Sequence, residues 1–308
     1  MASEQNRWLY RFSVITSLSI VLLLIAGGLV TSNNAGDSVP DWPLAYHHLI
    51  PPHLIGGIRF EYGHRVVAGL VAVLTLILAV WIQAREKRPL AWKLGWTALG
   101  LVVAQAVLGG IRVLDGYPAI TATAHAILAQ IFFLTVVGLT IYLSPWWRRD
   151  LELHQDASSP SVRSLTAWTT AVIFVQLILG ACFRHGALGI MPHMIGAAAV
   201  AVMVVWAGRA VKKRFGAIRQ LRTGVALLHS FFGVQILLGG AAYWAVLAAA
   251  DDAQPTFTYV SLTVAHVLFG ALLFASSLLL TLLCFRVTRP AHSTAAEPVS
   301  ASPQKASV

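Results

Sequence analysis

The chain has 308 residues, of which 57% are apolar and 11% charged, with a formal net charge of +10. A soluble domain carries about 25% charged residues, so this chain cannot cover a water-facing surface, and it is too apolar to stay unfolded. The composition fits a polytopic membrane protein, and its two cysteines, Cys182 and Cys284, exclude a disulfide framework or a cysteine-rich zinc module.

Eight long apolar runs follow in chain order, at roughly 12–30, 64–84, 94–111, 119–143, 165–183, 190–208, 223–243 and 259–285. Each is near the ~20 residues a helix needs to cross the hydrocarbon, and none alternates with the period of two of a membrane strand. An all-α membrane bundle of eight transmembrane helices is therefore expected. The first run follows Arg7 and Arg11 as a signal peptide would. It is too long and lacks a small-residue cleavage pattern, so it reads as a retained helix. The segment 31–61 is the longest loop on its side; its His47, His48 and His53 read as surface histidines. A polar linker at 150–162 divides the chain into 1–149 and 163–286, and the Ala-, Ser- and Pro-rich tail 287–308 reads as disordered.

Lys and Arg set the expected orientation. Eighteen of the 22 basic residues fall at the N-terminus, in the even-to-odd connections and in the tail. Both termini are thus expected in the cytoplasm. The basic excess is an orientation signal rather than a nucleic-acid site, since no single basic domain exists. No transit-like leader precedes the first run, which points to a bacterial plasma membrane.

The odd-numbered runs repeat one another. Gln105–Gly110 reads QAVLGG, Gln176–Ala181 reads QLILGA, Gln235–Gly240 reads QILLGG, and the first run carries Ile25-Ala26-Gly27-Gly28. Small residues there let a neighbouring backbone or a flat ligand approach closely. The even-numbered runs repeat too, with His64, His125, His193 and His266 each within one or two turns of the outer end. A single histidine in a membrane helix is usually a packed residue. Four at similar depth in alternate helices mark function, because ionisable groups in a bilayer are costly. Together the repeats predict a duplicated four-helix unit.

Two imidazoles from facing helices can ligate one metal between them, and an iron porphyrin, flat and largely apolar, suits a bundle core. Bare zinc would want four ligands at one point, whereas these histidines divide between two repeats. Two haems, or one haem and one haem-like substrate, fit better. Four basic residues remain outside the cytoplasmic set: Arg59, Arg65, Arg112 and Arg184. The last three stand beside the histidine or glycine motifs, where a guanidinium could take a haem propionate. His185 could share that role with Arg184.

The halves differ. Glu61-Tyr62-Gly63-His64-Arg65 puts an acid one turn before its histidine; Ile190-Met191-Pro192-His193-Met194 has none. An acid there could move protons or stabilise positive charge. A plain Glu61–Arg65 pair at a helix start is the other reading.

The order of these residues resembles the haem A synthase family from about residue 8 to 286. The motifs are Gly27-Gly28-Leu29-Val30-Thr31, Pro40-Asp41-Trp42-Pro43, Glu61-x-x-His64-Arg65, Thr123-Ala124-His125, Arg184-His185 ahead of His193, and Ala265-His266. The resemblance implies two pseudo-symmetric four-helix bundles and an oxidoreductase that converts the C8 methyl of haem O to the formyl group of haem A for terminal oxidases. It implies that His64 and His125 bind the substrate haem, with Glu61 as the essential acid. His193 and His266 would ligate a resident haem b that passes electrons to or from an outside partner. Haem O synthase and oxidase assembly components are implied partners, and a homo-oligomer is compatible. Many members carry a cysteine pair in the first outer loop; here that stretch reads Asp37-Ser38-Val39-Pro40-Asp41-Trp42-Pro43, so a loop disulfide has no counterpart. The rival reading is a di-haem electron-transfer protein of the cytochrome b type. It explains four histidines but not the acid beside one of them. A repeat-built transporter would show midspan helix breaks, and no matching pair of midspan Gly or Pro interruptions occurs.

Overall fold

In lipid a backbone must satisfy its own polar groups, so apolar runs of this length become helices. The computed structural model describes residues 2–114, 116 and 118–291. Eight long helices account for about three quarters of them: α1 (Ala2–Ser32), α2 (Ile58–Arg85), α3 (Pro89–Leu114), α4 (Ala119–Leu143), α5 (Val162–Arg184), α6 (Ile190–Phe215), α7 (Arg219–Ala248) and α8 (Phe257–Val287). All eight are long and apolar enough to span a membrane. The chain is an all-α, multi-pass membrane protein.

Every helix but α4 outruns its apolar stretch, because polar and basic residues continue the helix past the hydrocarbon. Lys212, Lys213 and Arg214 fill the last turn of α6, and Arg85 that of α2, where cations suit the helix dipole. Ser161 caps α5 by accepting from the Ser164 amide at 3.2 Å, and Thr256 caps α8 in the same way from Tyr259 at 3.2 Å. The early start of α8 sets His266 about two and a half turns into it, deeper than the apolar run suggested.

α1 packs on α2 and α4, and α3 packs on the same two helices; α5 packs on α6 and α8, and so does α7. α1 and α4 also meet α8, and α4 meets α5. One apolar cluster gathers Leu9, Ile20, Leu78, Ile82, Phe133 and Leu139; another gathers Val204, Val211, Leu221, Leu228 and Leu280. Where α1 meets α8, the hydroxyls of Ser32 and Thr263 lie 2.9 Å apart, both buried.

The end bearing most Lys and Arg is the basic end; the other is the histidine end. At the basic end two short strands, β1 (His154–Asp156) and β2 (Thr288–Pro290), pair in parallel. The linker and the start of the tail are thus joined; residues 292–308 of the tail lie outside the described residues. The Asp156 carboxylate accepts from the Val162 amide at 2.6 Å and from the Ser158 amide at 3.1 Å. Nearby, buried Glu86 takes Arg88 at 3.0 Å and Arg148 at 2.5 Å. Burial alone would raise its pKa, but the Arg88 hydrogen bonds and the charges of Arg88 and Arg148 outweigh burial and hold the carboxyl below its usual range.

Candidate functional site

The two sequence repeats are one structural feature. Each histidine of an even helix rests on a glycine of the helix before it. A methyl group placed on Gly27 would stand 3.2 Å from His64 Cε1, and on Gly109 3.3 Å from His125 Cε1. On Gly180 it would stand 2.9 Å from His193 Cε1, and on Gly239 3.1 Å from His266 Cε1. At Gly180 this is closer than side chains come; at the other three it is tight enough that the ring would have to give by a few tenths of an ångström, so glycine lets each ring lie there without strain. In each case the nearer ring nitrogen is Nδ1.

In α6 and α8 the rings of His193 and His266 lie edge-on, with centroids 6.3 Å apart and planes at 84°. Two metal–imidazole bonds of about 2 Å each, plus the half-widths of two rings, come to about 6 Å, so this separation matches that of two rings sharing one metal ion. Among the described residues no group of three or more His, Cys, Asp or Glu converges. A metal held there by two imidazoles needs its other ligands from a carrier, and a porphyrin supplies four in a plane. His64 and His125 are near enough for their charges to interact. The Nδ1 atoms of His64, His125 and His266 are buried without a hydrogen-bond partner. Orphaned buried polar atoms of this kind belong where a ligand completes the site.

Glu61 sits in the first turn of α2 and is only 5% exposed. Its Oε1 accepts from Arg65 Nη2 at 2.7 Å, and its Oε2 from the Val39 amide at 2.9 Å. Arg65 also donates from Nη1 to the carbonyls of Asp41 and Leu44, both at 2.8 Å, and from Nη2 to that of Val39 at 3.3 Å. All four terminal N–H groups go to the first loop and to Glu61. The ion pair at the helix start is present, and it clamps the Pro40–Pro43 stretch across the histidine end. Trp42 lies over Gly110, where a methyl group would be 2.7 Å from the indole.

Arg112, Arg184 and His185 gather at this end. The charge of Arg112 acts on His64, His125 and His185, and that of Arg184 on His185 and His266. Arg184 donates to Ser32 Oγ at 2.6 Å, linking α5 to α1. Burial, then the charges of Arg184, Arg112 and His125, lower the pKa of His185 to about 4. At neutral pH it is an uncharged ring. Arg59 instead lies over Phe60, 4.7 Å from its ring.

A family model for a cytochrome oxidase assembly protein, COX15-CtaA, matches residues 58–294. The chain belongs to this family. A protein of Lysinibacillus sphaericus named "Heme A synthase" is 28% identical over 188 residues, covering 59% of this chain and 60% of its own length. One of the same name from Alkalihalophilus pseudofirmus is 33% identical over 42% of this chain and 44% of its own. Another from Symbiobacterium thermophilum is 25% identical over 74% and 83%. The chain thus spans about half the length of the first relatives it matches.

His47, His48 and His53 of the first loop are exposed. His229 lies against Gly208, its Nδ1 at 2.8 Å from the Val225 carbonyl, as a packed residue does. Sequence reasoning missed the glutamines. Gln105 donates to the backbone carbonyl of His125 at 3.0 Å and Gln176 to that of His193 at 2.9 Å. Their signal was present in the shared spacing, with each glutamine four residues before the glycine under the ring.

Proposed function

We propose that this chain is a haem A synthase, an oxidoreductase that turns the C8 methyl of haem O into a formyl group. The observation that carries the reading is the pair of imidazoles, His193 and His266, 6.3 Å apart on their glycines. The helix contacts support two pseudo-symmetric four-helix bundles, residues 1–149 and 163–286, one haem site in each.

In the first half, His64 and His125 face the iron of the substrate haem. The methyl carbon is oxidised twice; with water as the oxygen source, each round replaces one C–H hydrogen by a hydroxyl, releases two protons and passes two electrons to an outside acceptor. The first round gives an alcohol and the second a geminal diol, which loses water to the aldehyde. Glu61, a buried acid one turn before His64, holds or moves the protons, and its carboxylate stabilises positive charge near the reacting carbon. Arg65 fixes Glu61 and closes the Pro40–Pro43 stretch over the site, which limits water. Arg112 and Arg184 hold propionates by charge, and neutral His185 adds a hydrogen bond.

In the second half, His193 and His266 would hold a resident haem b. That group, when bound, supplies one-electron transfer to an outside partner. Orientation by the basic end puts both termini in the cytoplasm of a bacterial plasma membrane. Haem O synthase and terminal oxidase assembly components are then the natural neighbours.

Co-expression with haem O synthase, followed by mass analysis of extracted haems, tests this. A formyl haem is the expected result. Unaltered haems in a protein with two bis-histidine spectra would instead identify a di-haem electron-transfer protein.

A further inference from the structure

The glutamines of α3, α5 and α7 share one geometry. Gln105, Gln176 and Gln235 stand four residues before Gly109, Gly180 and Gly239, on the same helix face and one turn deeper. Each reaches the histidine that rests on that glycine. Gln105 Nε2 donates to the His125 carbonyl at 3.0 Å. Gln176 Nε2 donates to the His193 carbonyl at 2.9 Å and lies 3.1 Å from ring Nδ1. Gln235 Nε2 lies 3.4 Å from His266 Nε2, and Gln176 Nε2 lies 3.4 Å from His193 Nε2 as well. The Oε1 atoms of all three are buried without a partner.

Space is kept for these amides. A methyl group on Gly196 of α6 would collide with Gln176 Oε1, and one on Gly270 of α8 would lie 3.1 Å from Gln235 Nε2. A metal-bound imidazole keeps one ring N–H, which needs an acceptor to fix the ring's tautomer and angle. A glutamine amide can meet either ring state, because turning it over exchanges donor for acceptor. α1 breaks the pattern: the residue four before Gly27 is Leu23, which offers no hydrogen bond. His64 therefore rests on its glycine with no amide behind it.

Resting on the reading that the histidines face haem irons, we propose that Gln176 and Gln235 position the rings of His193 and His266, that Gln105 braces His125 through its backbone carbonyl, and that Leu23 leaves His64, without such a brace, as the ligand free to swing away. The substrate haem is then gripped on the His125 side and released on the His64 side, while the second-half haem is held from both.

The test uses the purified full-length protein. Gln176→Leu removes the acceptor and should raise the midpoint potential of the second-half haem; Gln176→Glu strengthens it and should lower the potential. Retention of haem in Gln176→Glu with loss in Gln176→Leu would also support the assignment. Equal potentials in both variants and the parent, or loss of haem from both, would overturn it. For α1, carbon monoxide reaches a reduced six-coordinate haem only after one histidine leaves. In protein co-expressed with haem O synthase, Leu23→Gln should slow carbon monoxide binding at the first-half haem by about tenfold, the worth of one hydrogen bond. An unchanged rate would overturn the α1 part. Parent protein without any bis-histidine haem would overturn the proposed function itself, a separate result.

Discussion

The rings of His193 and His266 stand 6.3 Å apart and nearly perpendicular, at 84°. Axial imidazoles crossed in this way give ferric haem a highly anisotropic low-spin signal. Electron paramagnetic resonance of the purified protein should show it. His193→Ala or His266→Ala should abolish that signal and the resident haem's absorption bands, while the helical circular dichroism stays.

The glycines under the rings make a second expectation. Gly180→Ala puts a methyl group 2.9 Å from His193 Cε1. Overpacking of this kind costs about 1–3 kcal/mol, so haem retention should fall about tenfold. Gly233, on α7 with open space around it, is the control: Gly233→Ala should keep full haem content. Haem content per protein, read from the pyridine haemochrome, separates the two.

Glu61 anchors the first loop and is proposed to serve the chemistry, and two substitutions divide these roles. Glu61→Ala should leave the resident haem bound while haem A formation stops. Arg65→Leu removes the donors to the Val39, Asp41 and Leu44 carbonyls, so proteolysis in the 39–46 stretch should accelerate. Glu61→Gln keeps an acceptor for the Val39 amide and should protect the loop better than Arg65→Leu does. Normal haem A output from Glu61→Ala would remove the acid from the mechanism.

Glu86 predicts a pH dependence at the basic end. Its folded pKa is depressed, so the stability it contributes is present above the ordinary carboxylate range and is lost as pH falls through the folded value. In detergent, the parent protein's melting temperature should drop below about pH 4 as Glu86 protonates. Glu86→Gln should cost roughly 2–4 kcal/mol at neutral pH, since it strands Arg88 and Arg148. It should also flatten that acid limb.

The all-α class and the eight spans were legible because a bilayer demands long apolar helices and nothing else in the chain supplies them. The four histidines stood out for the same reason, as ionisable groups in apolar runs. What each touches was not legible. The glycine and histidine repeats lie on different helices, and no spacing within one helix says that Gly27 supports His64. The hold of Arg65 on the first loop was hidden because its acceptors there, Val39, Asp41 and Leu44, are backbone carbonyls, which sequence does not advertise. The β1–β2 pairing was hidden as well, since His-Gln-Asp and Thr-Arg-Pro carry no strand pattern.

That small parallel pairing stitches the midpoint of the chain to the exit of its final helix. Arg286 adds two rivets from α8, to the carbonyls of Trp147 at 3.3 Å and Arg149 at 2.6 Å. With the Arg184–Ser32 and Ser32–Thr263 bonds at the histidine end, the two halves of the chain are fastened at both ends, so a flat guest has to enter between helices rather than through a hinge that opens the whole molecule.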